Sequence, residues 1–321
     1  MATHTFIDGN SVGHAAQHGF AGRGKKLVAG GQETTAIFGM LVSMQKILRS
    51  RTFSKPIVLW DGRSWRYDRH PDYKGNRTDT AEKVAERERY RAQRAAMFKG
   101  LHLLGVTQLV ADNMEADDMA AVLTRRAVAK GDMVMLITGD KDWLQLVEKG
   151  VVWVDHKIDR KCSHANFHEF TGFKTQRAFI DAKALQGDTG DNVKPNTGVG
   201  EAGAKALLSV FDSVDHFLAT DIDEAQDRFF LHHGKKMHHG TVKFHGDAEA
   251  QARFRWALEL MDLGHPSIPT PTKIKATRAD IDRDGFMQFC GQHAFSSIMN
   301  DIDKFIAPFA TIEEEFANQS S

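Results

Sequence analysis

Short apolar segments alternate with segments of helical periodicity through the first half of the chain. Residues 34–48 carry Ile37, Leu41, Met44 and Leu48, a spacing that places all four on one face of a helix. The apolar segments are shorter and end at turn-forming or acidic residues, as buried strands do. The predicted strands lie at residues 3–8, 55–61, 108–110, 133–138 and 151–154. Strands alternating with helices favour an α/β fold with a central, mostly parallel sheet flanked by helices.

Beyond about residue 160 the pattern becomes mostly helical. Residues 175–185 and 204–211 predict two helices, and the sequence between them, which begins at Gly187, is rich in glycine. A His-rich stretch at 232–239 is typical of an exposed, flexible loop. The predicted division is an α/β core at residues 1–160, a mostly helical region at 161–312 and a disordered tail at 313–321.

The composition narrows the class of protein. Of the 321 residues, 41% are hydrophobic and 26% charged, which is ordinary for a globular protein. Lys plus Arg and Asp plus Glu each number 42, so the chain has no overall basic charge, although a balanced total can combine an acidic site with a basic surface. No apolar run approaches the ~20 residues of a membrane span, and residues 1–10 do not resemble a signal peptide. With only Cys162 and Cys290, a disulfide framework is excluded. These features predict a soluble, cytoplasmic protein without a membrane partner.

Acidic residues follow the predicted strands and turns. Because the carboxyl ends of parallel strands meet at one edge of a sheet, we expect these side chains to lie together. Neighbouring carboxylates raise one another's pKa and need counter-cations, and Mg²⁺ takes oxygen ligands of this kind. A pair of such ions about 4 Å apart is a common arrangement for phosphodiester hydrolysis. The candidate ligands are Asp8, Asp61, Glu115, Asp117, Asp118, Asp140, Asp142, Asp188 and Asp191.

An ordinary structural role would account for any one of these carboxylates alone. An Asp after a strand is often a helix N-cap or a turn residue. The whole set favours a metal site but leaves the reaction undetermined. A haloacid-dehalogenase-type phosphatase needs a second Asp two residues after the first, where this chain has Asn10. The Walker phosphate loop does not occur in the sequence either.

Several motifs in a fixed order resemble the flap endonuclease / 5′→3′ exonuclease family, most closely its bacteriophage members and the 5′-nuclease domains of bacterial repair polymerases. The resemblance covers roughly residues 3–215. The matching motifs are FIDGN, GQETTAIFGM, VLWDG, HPDYKGNR, EADDMAA, TGDKDWLQLV, LQGDTGDN and GVGEAGAKALL. The family implies a PIN-like 5′-nuclease core with a helical arch, and a helical C-terminal region carrying a helix–three-turn–helix motif.

The resemblance also implies roles for the carboxylates. Two Mg²⁺ ions are the expected cofactors, and Mn²⁺ is an expected substitute. The first ion would lie near Asp8, Asp61, Glu115 and Asp117, and the second near Asp140, Asp142, Asp188 and Asp191. Asp118 and Asp191 match additional acidic positions of the bacterial and phage members. Asp8 and Asp61 are assigned as catalytic as well as metal-binding.

A basic segment at residues 63–99 contains eleven Lys or Arg against six Asp or Glu. By resemblance we interpret it as a mobile arch that grips the 5′ strand, and an ordinary solvated, charged helix is the alternative. Lys74 and Arg77 match the basic residues that contact the scissile phosphate, where positive charge stabilises a phosphoryl transition state. Tyr73 is expected to stack on a terminal base.

The Gly-rich hairpin at residues 187–211 resembles the DNA-backbone-binding element of the family. Gly198 and Gly203 would allow a phosphate to approach the main chain, and Lys205 would pair with that phosphate. The chain departs from the family pattern at Glu201, where a glycine is usual. A K⁺ ion bound at this element in relatives is therefore an open expectation here.

The expected function is a Mg²⁺-dependent 5′→3′ exonuclease and structure-specific flap endonuclease. Its expected partner is DNA with 5′ ends, flaps or nicks, with RNA in RNA–DNA hybrids as a further substrate. The chain would act as a monomer in phage DNA replication or processing, in the host cytoplasm. The alternatives are a PIN-like metal-dependent ribonuclease, which usually lacks the arch and hairpin, and a non-catalytic branched-DNA-binding module, which would not need all nine carboxylates.

Overall fold

The structure is a computed structural model that describes residues 2–21, 26–49, 56–78 and 80–317. For residues 20, 21, 77, 78 and 311–317 it describes the backbone alone. The strands of these ranges are β1 (Thr3–Asp8), β2 (Val28–Ala29), β3 (Gln32–Glu33), β4 (Pro56–Trp60), β5 (Thr107–Val110), β6 (Met133–Ile137), β7 (Val151–Val154), β8 (Lys161–Ser163) and β9 (Lys275–Thr277).

A seven-stranded sheet in the order β8-β7-β6-β1-β4-β5-β9 forms the centre of the fold. Strands β1, β4, β5, β6 and β7 are parallel, while β8 and β9 pair antiparallel at the two edges. The register pairs Asp8 with Leu59 and Ile7 with Ile137, so β1, β4 and β6 end at nearly the same level. The predicted mostly parallel sheet is confirmed, and the carboxyl ends of its central strands share one edge.

Helices cover both faces of the sheet and build the second half of the chain. They are α1 (Gly9–Ala21), α2 (Thr35–Arg49), α3 (Arg66–Arg69), α4 (Ala81–Leu103), α5 (Ala116–Val128), α6 (Phe167–Thr171), α7 (Gln176–Gln186), α8 (Glu201–Val210), α9 (Val214–Ala219), α10 (Ile222–His233), α11 (His239–Gly246), α12 (Ala248–Met261), α13 (Arg283–Gln292), α14 (Ser296–Met299) and α15 (Ile302–Ala317). Short 3₁₀ turns occur at Gly75–Thr78, Lys141–Leu146 and His164–Asn166. In the part of the chain described, no helix is both long and apolar enough to span a bilayer.

The apolar face predicted for α2 is buried as expected. Ile37, Leu41, Met44 and Leu48 all lie in one hydrophobic cluster with residues of α1, β4 and α4. Burying a large aliphatic side chain of this kind contributes about 1.5–3 kcal/mol. This packing fixes α1 and α2 against the sheet, next to the edge at which the central strands end.

Elements from beyond the predicted boundary near residue 160 pack on the α/β core. Strand β9 joins the sheet beside β5, and helices α13 to α15 pack on the cluster that holds α2. Phe286, Phe289 and Phe305 are buried there, and this apolar area explains why the chain returns to the core. A separate cluster, which includes Phe211, Phe217, Phe244 and Phe254, holds α7 to α12 together.

Two helices extend into stretches that were predicted as a loop and a tail. His232 and His233 form the last turn of α10, which ends at Gly234 with a left-handed φ of 65°, so the loop is shorter than expected. Helix α15 continues to Ala317, within the stretch predicted as a tail, and residues 318–321 lie outside the described ranges.

The segment predicted as an arch has three distinct parts. Arg66 in α3 is buried, Tyr73 and Lys74 lie in the turn that follows, and α4 is one continuous helix. The second half of α4 is anchored by Gln93 and Met97, which are buried against α2 and its neighbours. The first three residues of α4 are all exposed, whereas exposed and buried positions alternate in its second half.

Candidate active site

Neighbouring strands bring the first carboxylates together. Asp8 is the last residue of β1, and Asp61 follows the last residue of β4, its neighbour in the sheet. Glu115 lies at the amino end of α5 after β5, and Asp140 starts the 3₁₀ turn after β6. The adjacency predicted from the sequence is confirmed for these four residues, because all four strands are parallel neighbours.

Asp8 is almost completely buried and is held from two sides. Its Oδ1 accepts a hydrogen bond of 2.9 Å from the Ser11 backbone N–H, and its Oδ2 accepts one of 2.8 Å from the Thr138 hydroxyl. Burial and the nearby charges of Asp61 and Asp140 raise the pKa of Asp8 to about 7. At neutral pH the charged form therefore needs a compensating cation.

A close backbone approach positions Asp61. A Cβ atom at Gly62 would lie 1.8 Å from the carbonyl oxygen of Ala111, so only glycine allows the end of β4 to approach the loop after β5. That approach lets the Ala116 N–H donate a 2.8 Å hydrogen bond to Asp61 Oδ1. Burial, followed by the charge of Glu115, raises the pKa of Asp61.

Asp117 completes the first group. Its Oδ1 accepts a 2.6 Å hydrogen bond from the Trp143 indole N–H. Among the described residues, no other side chain donates a hydrogen bond to Asp117. Burial and four neighbouring carboxylates raise its pKa well above the usual range. The group lines one cavity of about 1050 Å³, and its carboxylates are Asp8, Asp61, Glu115, Asp117 and Asp140.

A second group of carboxylates lies beside a much smaller cavity of about 20 Å³. Asp117 lines this space as well, so it links the two groups. Asp188 and Asp191 come from the loop between α7 and α8, where Asp188 Oδ1 accepts the N–H groups of Gly190 and Asp191. The other carboxylate at this cavity is Asp142. Asp140, which was expected in the second group, lines the larger cavity instead.

Glu115 is surrounded by four side-chain donors. Its Oε2 accepts hydrogen bonds from Ser64 Oγ at 2.8 Å, Arg66 Nη1 at 3.1 Å and the Tyr73 hydroxyl at 3.1 Å, while Oε1 pairs with Lys74. Burial alone would raise the pKa of Glu115, but the positive charges of Lys74 and Arg66 hold it below the usual range. The pKa of Glu115 is thus lowered, whereas burial raises the pKa values of Asp8, Asp61, Asp117 and Asp140.

Lys74 lies within the carboxylate site, as the sequence predicted. Its backbone has a left-handed φ of 59°, and its N–H donates a 2.9 Å hydrogen bond to the Asp191 carbonyl. Its ammonium group pairs with Glu115 and lies 3.9 Å from Asp191 Oδ2. Arg77 lies in the following 3₁₀ turn, but its side chain is outside the described part of the structure.

The structure places Asp118, a predicted metal ligand, in a buried ion pair rather than at either cavity. The side chain is completely buried and forms a two-pronged ion pair with Arg66, with N–O distances of 2.8 and 2.9 Å. The Trp65 indole N–H and the Glu115 backbone N–H also donate to Asp118 Oδ2. Three of these donors occupy Oδ2 and one occupies Oδ1, and Asp118 lines neither of the two cavities.

Arg66 and Lys183 are functional candidates that the sequence motifs did not indicate. Arg66 also donates from Nε to the carbonyl of Leu260, so it ties α5 to the end of α12. Its position between Trp65 and Tyr67 was the available signal, because an aromatic ring attracts a guanidinium group, and Arg66 lies 4.9 Å from the centre of the Trp65 ring. Lys183 of α7 pairs with Asp142 and lies among the second group of carboxylates.

The structure does not support the role predicted for Tyr73. Its ring is only 4% exposed, and its hydroxyl donates to Asp191 at 2.8 Å as well as to Glu115. A ring in this position cannot stack on a base. Tyr73 instead bridges a carboxylate of the first group and one of the second.

The predicted hairpin forms at the amino end of α8. Gly198 has a left-handed φ of 80°, Gly200 caps the helix, and Lys205 is exposed. Gly203 lies inside α8, where a Cβ would meet Thr241 and Val199 at 3.4 Å. Glu201 is the first residue of α8, where a negative charge interacts favourably with the helix dipole. That position gives a structural reason for the departure from the family pattern.

The carboxylate oxygens of the site are suitable ligands for hard divalent cations, although they do not converge on one position. Within the described ranges, no three His, Cys, Asp or Glu side chains converge closely enough to hold a metal ion as they stand. The first group nevertheless offers only oxygen ligands, and its raised pKa values show an unmet need for positive charge. The ammonium groups of Lys74 and Lys183 lie among these carboxylates and supply part of that charge.

Comparison with known proteins identifies the family. Residues 3–172 match the model of the 5′-3′ exonuclease N-terminal, resolvase-like domain. The chain belongs to the flap endonuclease / 5′-3′ exonuclease family. Among curated relatives, DNA polymerase I of Mycobacterium tuberculosis is 31% identical over 228 residues, which is 65% of this chain and 24% of the polymerase. The flap endonuclease Xni of Tolumonas auensis is 31% identical over 186 residues, 56% of this chain and 69% of that protein.

Solved structures of this nuclease family share the fold. The bacteriophage T5 5′-exonuclease with bound zinc matches with a TM-score of 0.63 and 21% identity, over 97% of this chain and 99% of that one. The catalytic core of Rad2 in complex with DNA matches with a TM-score of 0.55 and 14% identity, over 96% and 92%. The predicted PIN-like 5′-nuclease fold is confirmed. The chain spans about a quarter of the length of the polymerase relatives.

Proposed function

We propose that this chain is a metal-dependent 5′→3′ exonuclease and flap endonuclease that hydrolyses DNA phosphodiesters. The observation that carries the proposal is the gathering of five carboxylates at one cavity, with Lys74 fixed among them. A PIN-like fold alone would not specify this chemistry, because a fold can host many functions. Relatives named as flap endonucleases, and neighbours solved with metal ions and with DNA, support the same reaction class.

We infer that two divalent ions, Mg²⁺ in the cell, occupy the carboxylate groups. The first would be held by Asp8, Asp61, Glu115 and Asp117, with Asp140 beside them, and the second by Asp142, Asp188, Asp191 and the shared Asp117. When bound, such a pair supplies a hydroxide nucleophile and stabilises the leaving oxygen. Mn²⁺ offers the same preference for oxygen ligands and is an expected substitute.

Side chains near the proposed metal sites would contact the phosphate and orient the carboxylates. Lys74 is held by its backbone and by Glu115, so a phosphate that displaces this ion pair would find an ammonium group already in place. Positive charge at this point stabilises the phosphoryl transition state. Arg66, Ser64 and Tyr73 keep Glu115 Oε2 occupied and so orient the carboxylate towards the cavity. Arg77 is proposed to assist Lys74.

The substrate is proposed to be DNA with 5′ ends, flaps or nicks, with RNA in RNA–DNA hybrids as a further substrate. Gly198, Gly203 and Lys205 would contact the duplex backbone, and a K⁺ ion at the hairpin is part of the same proposal. The proposed setting is phage DNA replication or processing by a monomer. A related metal-dependent ribonuclease would differ by cutting single-stranded RNA in preference to DNA.

A panel of 5′-labelled substrates tests the proposal. Flapped, nicked and single-stranded DNA, an RNA–DNA hybrid and single-stranded RNA are incubated with the protein in Mg²⁺, in Mn²⁺ and in EDTA. We expect cleavage of the flapped and nicked DNA in both metals and none in EDTA. Preferential cleavage of single-stranded RNA, or cleavage that persists in EDTA, would contradict the proposed function.

A further inference from the structure

The lining of the large cavity includes basic residues that the proposed chemistry does not use. Five carboxylates line this space together with Lys74, which the proposed chemistry uses, and with three further lysines. Lys46 comes from the last turns of α2, Lys141 follows Asp140, and Lys157 lies in the turn after β7. We call Lys46, Lys141 and Lys157 the basic wall. The sequence motifs assign no role to any of the three.

Lys157 is the member most closely tied to the acidic side. Its Nζ lies 3.0 Å from the point at which a Cβ on Gly139 would be, and Ser11 Oγ lies 3.3 Å from the same point. Ser11 is also the residue whose N–H binds Asp8 and whose hydroxyl accepts the N–H of Gly139. The ammonium group therefore rests against the end of β6, directly beside the first group of carboxylates.

The three lysines of the basic wall differ from Lys74 and Lys183 in their exposure and in their ion pairs. Lys74 and Lys183 are paired with Glu115 and Asp142 and are mostly buried. All three wall lysines are exposed. In the described ranges, no ion pair joins any of them to an Asp or Glu, although carboxylates line the same cavity. They are cations available to a ligand.

We propose that the basic wall binds phosphodiester groups of the reacting strand that adjoin the phosphate being cut. The proposal rests on the proposed function, because it takes the reacting phosphate to lie at the carboxylates. A ligand that fills this cavity lies among five carboxylates and these three lysines. Successive phosphates of one strand, spaced about 3.4 Å along a duplex axis, offer a row of negative charges to the lysines.

The occupant is assigned to the reacting strand rather than to the duplex arm because of where the lysines lie. They share one concave space with the carboxylates at the end of the sheet. The Gly-rich hairpin, which we propose for duplex contact, lines neither cavity through Gly198, Gly203 or Lys205. A strand whose phosphate lies at the carboxylates therefore shares this cavity with the basic wall.

The test compares two variants that each lose three positive charges. The wall variant carries Lys46→Gln, Lys141→Gln and Lys157→Gln. Its matched control carries Lys130→Gln, Lys149→Gln and Lys304→Gln, three exposed lysines that line neither cavity. Binding of a short 5′-labelled single strand, a flapped duplex and a blunt duplex is measured by fluorescence anisotropy in EDTA, from 50 to 200 mM salt. Thermal unfolding confirms that both variants are folded.

For the single strand and the flapped duplex, we compare the slope of the logarithm of the DNA association constant against the logarithm of the salt concentration. The wall variant loses three phosphate contacts, each of which contributes about 0.7 to this slope, so its slope should be shallower by about 2. Across a fourfold range of salt this is about an 18-fold smaller loss of affinity than in the wild type. The control variant should keep the wild-type slope. Equal slopes in all three proteins would overturn the proposal, as would a change confined to the blunt duplex.

The outcome can be separated from failure of the proposed function. If the wild type cleaves flapped DNA in Mg²⁺ while the wall variant binds like the control, the nuclease assignment stands and the basic wall fails. If the wild type neither cleaves nor binds any DNA, the proposed function fails and the basic wall fails with it.

Discussion

Asp118 offers a sharp prediction because the structure and the sequence pattern assign it different roles. Four N–H groups point at its two oxygens: two from Arg66, one from Trp65 and one from the backbone of Glu115. In Asp118→Asn the new amide group must face at least one of these donors, and the charge opposite Arg66 is lost. Removing one partner of a buried ion pair destabilises a protein by about 3–5 kcal/mol. We expect a loss of that size in the free energy of unfolding.

The assay is urea unfolding of the metal-free protein, followed by fluorescence. Asp284→Asn is the control, because that carboxylate is 90% exposed and should change the free energy by less than about 0.5 kcal/mol. The double variant Arg66→Met/Asp118→Leu should be more stable than the sum of its single variants predicts, since removing both charges leaves neither one unpaired.

The single variant Asp118→Asn also distinguishes a stabilising role of this carboxylate from a metal-binding role. If Asp118 acts only through Arg66, the Mg²⁺ concentration that gives half-maximal cleavage should stay close to that of the wild type. A variant with unchanged stability and a much higher Mg²⁺ requirement would refute the reasoning and restore Asp118 as a metal ligand.

Three further predictions concern the reacting phosphate, the duplex and pH. Lys74→Ala should lower the single-turnover rate by about a hundredfold with little change in DNA affinity, because one transition-state contact is worth roughly 3 kcal/mol, and equal losses in both would make Lys74 a simple phosphate anchor. Lys205→Ala should weaken binding to nicked duplex and reduce the salt slope by about 0.9, while a short single strand binds as before; equal effects on both ligands would contradict a duplex-specific hairpin. For Asp8 the folded-state pKa of about 7 lies above the ordinary value of 3.8, so the folded state holds the extra proton between these values and its stability falls as pH rises through that window. Relative to Asp8→Asn, the metal-free wild type should lose on the order of 4 kcal/mol between pH 4 and pH 7, and identical pH profiles would show that Asp8 is not perturbed.

The carboxylate edge could be predicted from the sequence because its causes are local. Each strand is a short apolar run, its acidic residue follows directly, and parallel strands necessarily end at one edge. Asp8, Asp61 and Asp140 lie where that rule puts them. These positions do not depend on contacts between distant parts of the chain, so they could be predicted from the local sequence.

The roles that the sequence did not predict depend on long-range contacts. Asp117 and Asp118 are adjacent on α5. Asp118 lies outside the cavity because it pairs with Arg66, which is 52 residues earlier in the chain. Tyr73 is buried because the loop carrying Asp191, 118 residues later, packs on it. Strand β9 is three residues long and largely exposed, so it lacks the apolar alternation by which strands are recognised.

The most direct test of the central claim is a pair of measurements on Asp140→Asn with a 5′-labelled flap substrate. Asp140 lines the large cavity with the other carboxylates, and Asp284→Asn again serves as the exposed control. The account predicts that Asp140→Asn binds the flapped DNA as the wild type does in EDTA and does not cleave it in Mg²⁺, while the control does both. Cleavage by Asp140→Asn at close to the wild-type rate would contradict a reaction that depends on this carboxylate site.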